Sequence, residues 1–398
     1  MMTRLTFRTA GESHGQALVG ILEGMPADVP ISVDAINHEL ARRQQGYGRG
    51  GRMRIEKDRA RVLSGVRFGH TLGSPISLMI ENRDFKNWHT IMPVEGEDTG
   101  AKRVTVPRPG HADLAGAIKY QQRDMRNILE RASARETATR VALGALARQF
   151  LQQLGIGIAS HVVQLADVRS PYSLIDYGKP EWTLPLNELN ARADMSPVRC
   201  LDHEAEQAMM ARIDQAKANR DTVGGIFEVV AYNVPVGLGS HVQWDRRLDA
   251  RLAMAMMSIQ AMKGVEIGDG LGGACRFGSE VHDEIFYDAD RRQFARNHNH
   301  AGGIEGGISN GMPIVVRVAM KPIATLMQPL QSVDIVSKAP VAAHRERSDV
   351  CAVPAASVIG EAMMALVLAD AVLEKFGGDS LNEIRTRYDA WQEYVRQR

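Results

Sequence analysis

Apolar residues fall into short bounded runs in some parts of the chain and recur at helical spacing in others. Runs bounded by glycine, proline or polar clusters predict strands over residues 3–10, 18–23, 62–66, 75–81, 158–165, 225–230 and 314–320. The glycine-containing segment 69–73 predicts a hairpin turn between the third and fourth of these. Helical spacing predicts a helix from Ser32 or Asp34 to about Arg43, one over 115–129 and a charged one over 202–219. Three more have a clear core face. One carries Val141, Ala145, Leu146 and Phe150 and stops at Gly155. Another begins near Asp245, carries Leu248, Leu252, Met256 and Ile259, and runs out over 258–270. The last follows Pro354, which suits a first helical turn, and carries Ile359, Met363, Leu366 and Leu373. Met254, Met256, Met257 and Met262 read as adaptable packing, not as a cofactor box.

Three pairs of segments repeat in the same order. GILEGMPADVP resembles GIFEVVAYNVP, and SGVRFGHTLGSPISLMI resembles GGISNGMPIVVRV. ERASARETATRVALGALARQFL and ERSDVCAVPAASVIGEAMMALVLADAVLEKF both run from Glu-Arg through a polar turn into an Ala-rich helix. They predict two halves of sheet plus helix, at about 1–155 and 220–380, within one continuous domain over 1–398. No linker separates the halves.

Composition narrows the class. Hydrophobic residues are 44% and charged residues 24% of 398, so a large core is available and long disorder is not expected. A formal net charge of +1 gives no global attraction to nucleic acid or membrane, so anion binding must be local. Cys200, Cys275 and Cys351 are widely spaced, which favours reduced thiols over a zinc site. With no apolar leader at the N-terminus and no run near the roughly 18 apolar residues of a membrane span, the expectation is a soluble, cytoplasmic protein.

Candidate chemistry concentrates in RASARETATR, residues 131–140. Ser133 and Glu136 have the spacing of a capping box, and Arg131, Arg135 and Arg140 crowd a helix start. Acids are the usual choice there, so cations point to an anionic ligand; an ordinary capped surface helix is the competing reading. In GESHG, residues 11–15, flanking glycines let the backbone bring Ser13 and His14 close to a ligand, although a structural histidine is the commoner case. Segment 42–54 holds five arginines and four glycines, a set of guanidinium forks on a loop able to close over phosphate or carboxylate. A solvated basic loop and an RNA contact compete, the latter weakened by a single aromatic, Tyr47. VPRPGHAD, residues 106–113, presents Arg108 and His111 on a pinned loop. KPIAT, residues 321–325, matters only if its strand end faces a phosphate, and Arg347, Ser348 and Asp349 stand just before the last core helix. If the repeat holds, the two arginine-bearing helix starts face one cavity.

In this order, GESHG, GYGRGGRM, RPGHAD, SARET, GGIEGGISNG, KPIAT and RSD before a Pro-containing helix resemble the chorismate synthase family over residues 11–354, and NILERASARET resembles its longer bacterial branch. The resemblance implies an α+β fold, a β-α-β sandwich with antiparallel sheets between helical layers, usually as a homotetramer. It implies an anti 1,4-elimination of phosphate from 5-enolpyruvylshikimate 3-phosphate, with reduced FMN required and no net redox change. NADPH is then a candidate indirect reductant, and neither nucleic acid nor membrane is a partner. By resemblance, Ser13, Arg43, Arg49, Arg52, Arg108, Arg135 and Arg347 bind substrate. Arg131, Ser133, Ala134, Gln260, Ala261, Gly306, Lys321, Pro322, Ile323, Ala324, Thr325 and Arg347 contact FMN. His14 resembles the histidine that stabilises anionic reduced flavin, and His111 the one that protonates the departing phosphate. Asp349 resembles the residue that takes a proton from the flavin's central-ring nitrogen. Two positions depart from the family's usual choice: Ala132 stands for serine and Gln260 for asparagine. Rival classes are an RNA-binding module and a flavin redox enzyme, but none of the predicted strands is followed by the latter's G-x-G-x-x-G.

Overall fold

The first sheet is built from β1 (Thr6–Ala10), β2 (Ala17–Glu23), β3 (Ala60–Ser64) and β4 (Ile76–Glu81), with helix α1 (Val33–Gln44) between β2 and β3. This computed structural model describes residues 2–51, 55–176, 182–290, 292–346 and 348–398. Helices α2 (Asp113–Lys119), α3 (Arg126–Ala132) and α4 (Thr137–Gln152) follow. The strands pair antiparallel in the order β1-β2-β4-β3. Alternation along β2 turns Leu18, Gly20 and Leu22 inward, where α4 covers them. A Cβ at Gly20 would lie 2.6 Å from the Thr139 methyl, so the close approach of α4 requires glycine.

The second sheet uses β5 (Gly157–Leu165), β6 (Gly225–Tyr232), β7 (Met262–Ile267) and β8 (Ile314–Met320). Helix α5 (Leu248–Met257) lies between β6 and β7, and α6 (Val353–Phe376) follows β8. Its antiparallel order is β7-β8-β6-β5, extended by the short strand Val168–Arg169. Each sheet thus runs first, second, fourth, third strand. Helix α4 packs on β1, β2 and β4, α6 packs on β5 and β6, and the two helices pack on each other. Gly144 of α4 comes so close to α6 that a Cβ there would sit 2.5 Å from the Ala362 Cβ.

Helices α4 and α6 therefore lie between the two sheets, while the short helix Leu189–Asp194 packs on the other face of the second sheet. The physical reason is legible in α6, whose residues are buried on nearly every side. A helix apolar all round has no face to offer water and must take the middle layer. By length and composition α6 could cross a membrane, but its apolar window is wholly buried in protein.

Most predicted elements are present within a few residues. Strands β3 and β4 pair as expected, but their connection folds on its own: Val66–Arg67 pairs with His70–Leu72, which also pairs with Ala27–Pro30. The helix expected over 115–129 is two, α2 and α3, broken where Gln121 takes a φ of 53°. Where a helix was expected to run out, β7 forms the edge of the second sheet. The sequence reading assigned no element to Leu189–Asp194 or to the C-terminal helix α7 (Leu381–Gln397), which buries only Leu381, Ile384 and Tyr388.

Candidate active site

The approaches to α4 and α6 open on one cavity of about 420 Å³, within the ~300–1,000 Å³ usual for ligand sites. Ser133 ends α3 and opens a single tight turn, Ala134–Glu136, that leads into α4. Because α3 runs directly into this turn, Ser133 does not begin a free helix, and the expected capping box is absent. Its hydroxyl instead accepts from Arg135 N at 3.3 Å and from Ser13 Oγ at 3.1 Å. The Glu136 carboxylate accepts from Thr9 Oγ1 at 2.7 Å, Arg140 Nε at 3.0 Å and Gln260 Nε2 at 3.1 Å.

The three arginines of this stretch therefore part company. Arg140 pairs with Glu136, and Arg131 turns outward to donate to Thr9 and Gly11. Only Arg135 lines the cavity, with Nη1 on Asp58 at 2.6 Å and Nε on Asn82 at 2.9 Å. Arg43, from the last turn of α1, donates to Thr137 Oγ1 and the Ala134 carbonyl. Its Nη1 and Arg135 Nη2 are buried without a hydrogen-bond partner. Burial, only partly offset by Asp58 and reinforced by the Arg135 and Arg49 charges, pulls Arg43 down to about 10. Asp58 lies 3.6 Å from Arg43 Nη1 and Glu56 3.8 Å from Arg135 Nη2, both beyond hydrogen-bond distance.

Two imidazoles face the same space. His14 Nδ1 lies 2.9 and 3.0 Å from the two oxygens of Glu130, which also accepts the His14 backbone N–H at 2.7 Å. The His14 ring stacks on Trp88 at 3.9 Å, and Trp88 faces Lys102 and Arg126. Burial alone would raise the Glu130 carboxyl, but the His14 hydrogen bonds and the His14 and Arg126 charges outweigh it and hold it below the usual range. His111 and Arg108 come from the pinned loop before α2, and Arg108 Nη1 donates to Thr325 Oγ1 at 3.0 Å. Lys321 donates to the Gly110 carbonyl, so the loop at the end of β8 and the loop before α2 hold each other. Asp349, just before α6, accepts the Gly50 N–H at 2.6 Å and lies 3.4 Å from Arg49, which ties the Arg/Gly loop to the site.

His14, His111 and Asp349 all line the cavity, as do Ser13, Arg43, Arg49, Arg108 and Arg135. Of the expected flavin contacts, Ser133, Ala134, Gln260, Ala261, Lys321, Ile323, Ala324 and Thr325 line it. Arg131, Pro322 and Gly306 do not. Arg131 is held outside by Thr9 and Gly11, and the Pro322 backbone lies against Gly224. Gly306 occupies the turn between the paired segments Ile304–Glu305 and Ile308–Ser309. Arg52 and Arg347 lie outside the described residues. Sequence reasoning missed Glu130, Glu136, Trp88 and Asp113 as supports of the site; Asp113 stood within RPGHAD, and an acid two residues from a histidine was an available signal.

A family model for chorismate synthase matches residues 5–373. The chain belongs to the chorismate synthase family. It is 57% identical over 395 residues to the chorismate synthase of Aquifex aeolicus, covering 98% of each chain. It is 58% identical over 395 residues to that of Desulforamulus reducens, covering 99% of this chain and 100% of the relative. A solved crystal structure of a chorismate synthase is similar with a TM-score of 0.80 at 47% identity, over 100% of both chains. As a chorismate synthase family member the chain is a carbon–oxygen lyase that eliminates phosphate from 5-enolpyruvylshikimate 3-phosphate to give chorismate. The family requires reduced flavin for a reaction without net redox change.

Proposed function

We propose that this one cavity seats reduced FMN and the substrate side by side. The observation that carries the reading is a wall of buried arginines, in which Arg43 Nη1 and Arg135 Nη2 have no hydrogen-bond partner, facing two carboxylate-backed histidines. Arg43, Arg49, Arg108 and Arg135, with Arg52 and Arg347, would hold the substrate phosphate and its two carboxylates, to which guanidinium forks are matched. Ser13 adds a hydroxyl beside Ser133.

The residues present fit FMN. Gln260 Nε2 is held by Glu136, while its Oε1 is buried without a partner. The side chain thus offers an acceptor to a flavin N–H. When bound, reduced FMN supplies an electron-rich ring and a basic central-ring nitrogen. His14 would balance negative charge on that ring, and Asp349 would offer a carboxylate as proton acceptor; both line the cavity. His111 gives a proton to the departing phosphate oxygen.

Gln260→Asn keeps the same amide on a shorter stem, and reduced FMN is expected to bind within about tenfold of wild type, roughly 1.4 kcal/mol. Gln260→Ala should bind more weakly, because it leaves a flavin N–H unpaired in a partly dry site. Titration of each variant with reduced FMN decides this, and wild-type affinity in Gln260→Ala would remove the residue from the flavin site. Arg49→Ala is expected to raise the Michaelis constant for substrate, with the wild-type value rising with ionic strength. Steady-state kinetics at two salt concentrations checks it; an unchanged constant would make the Arg/Gly loop solvated surface.

The common strand order of the two sheets, and the opposed packing of α4 and α6, support a β-α-β sandwich of two pseudo-equivalent halves in one domain. On that reading the second half begins at β5, Gly157–Leu165, not near residue 220. We also propose a homotetramer in the cytoplasm, with NADPH as an indirect reductant of the flavin. Burial of Cys200 and Cys351 as free thiols supports a reducing compartment.

A further inference from the structure

Asp113 is fully buried at the start of α2 and does not itself line the cavity. Its two oxygens take four contacts. Oδ2 accepts from Arg108 N at 3.1 Å and Arg108 Nε at 2.8 Å. Oδ1 lies 3.0 Å from Arg108 Nη2 and 2.5 Å from His111 Nδ1. The last distance fixes the tautomer of the ring. Two acceptors would repel each other so close, so Nδ1 must carry hydrogen and donate to the carboxylate. Arg108 Nη2 is also 3.0 Å from His111 Nδ1, but it cannot donate to a nitrogen that already bears hydrogen, and its bond there goes to Oδ1. Nε2 meets only the long contact of 3.4 Å from Arg108 Nη2 among the described residues, and is the ring nitrogen left for a ligand. The same device recurs at the other imidazole, where buried Glu130 takes His14 Nδ1 and is itself held by Arg126 at 3.1 Å.

We propose that Asp113 is a positioning residue for the elimination: it keeps a proton on His111 Nδ1, leaves Nε2 to meet the substrate phosphate, and braces Arg108 against the same ring. This rests on reading His111 as the general acid. In the step, the substrate ring gives up a proton to the base, and the C–H electron pair and the ring double bond shift to form the diene. The C–O bond breaks with its electron pair going to the phosphate oxygen, which takes the Nε2 proton of the imidazolium. The ring is left neutral with hydrogen on Nδ1, still donating to Asp113, and recovers its proton from solvent. A buried carboxylate on the far nitrogen of an imidazole acts in this way elsewhere by fixing orientation and tautomer. An amide at position 113 would keep one acceptor and turn a donor toward either Arg108 or His111, so both partners could not be held at once.

Two measurements test the proposal. In the full chain labelled with ¹⁵N-histidine, without ligands, the His111 ring is assigned by comparison with His111→Gln. Its neutral form is expected to carry hydrogen on Nδ1; hydrogen on Nε2 in the wild type would overturn the proposal whatever the variants do. The second is a double-mutant cycle on turnover with reduced FMN. Asp113→Asn is expected to lower kcat by about 10–100-fold in the wild-type background. In the His111→Ala background the same change should cost less than about threefold, because its route of action is already gone. Equal losses in both backgrounds, in variants with unchanged thermal unfolding, would assign Asp113 to structure or to Arg108 alone. Normal turnover in His111→Ala by itself would remove the general-acid reading, and this proposal with it.

Discussion

Replacing His111 with alanine should lower turnover by about 10²–10⁴-fold, the range for losing a positioned general acid, while reduced FMN binds nearly as in the wild type. The ring lines the cavity on a loop pinned by Pro107, Pro109 and Gly110, and its Nδ1 is engaged by buried Asp113. Arg108 from the same loop reaches Thr325, at the end of the segment after β8, so the loop that carries the imidazole is held from both sides of the site. A phosphate leaving without a proton must depart with more negative charge, with the nearby guanidinium groups and Lys321 left to stabilise it. Single-turnover rates, with flavin titration as the control, separate the proton's contribution from binding. Near-normal turnover in a folded variant would make His111 structural.

Glu361→Ala is expected to cost about 3–5 kcal/mol of folding stability, the range for breaking a buried ion pair from one side. Glu361 sits in the middle of α6, accepts from Arg42 Nη2 at 2.9 Å and Arg148 Nη1 at 2.7 Å, and lies 3.2 Å from Arg199 Nη2. Ser160 Oγ and Asn190 Nδ2 complete its shell at 2.6 and 3.0 Å. Burial alone would raise this carboxyl, yet the Arg42, Arg148 and Arg199 charges outweigh it and hold it well below the usual range. Arg199 is lowered to about 9 by burial and by the Arg42 and Arg148 charges, with Glu361 as its main support. Removing the carboxylate leaves guanidinium groups buried with Glu39 and Asp194 as their remaining acids. Chemical denaturation of the two proteins measures the loss. An unchanged midpoint and slope would mean that water or rearranged side chains replace the carboxylate at no cost.

Adjacent arginines show how far the sequence could be read. Arg42 and Arg43 both belong to the basic segment, but neighbours on a helix point about 100° apart. Arg42 enters the Glu361 cluster, and Arg43 enters the cavity. Composition marked the segment as anion-binding but could not say which guanidinium was already neutralised. Short motifs on constrained loops were legible: GESHG, RPGHAD and RSD bring His14, His111 and Asp349 to one cavity. The supports at long sequence separation were not. Glu130 meets His14 across 116 positions, and Glu136 meets Gln260 across 124, so no local spacing announces either pair. The alternation of sheet with core helix followed from periodicity and the repeated segments, and the α+β class from the family resemblance. The middle position of the helices did not, because the four-residue core face read for α6 does not announce burial on nearly every side. Strand β7 was lost because MKGVEI is short, holds one glycine, and follows directly on a helix.

The most direct test of the account is anaerobic turnover of 5-enolpyruvylshikimate 3-phosphate by the full chain with FMN reduced by dithionite, set against FMN left oxidised. Chorismate and phosphate should appear in equal amounts with reduced FMN, the flavin should still be reduced at the end, and oxidised FMN should support no turnover. Equal turnover in both flavin states, or flavin oxidised in step with product, would contradict it.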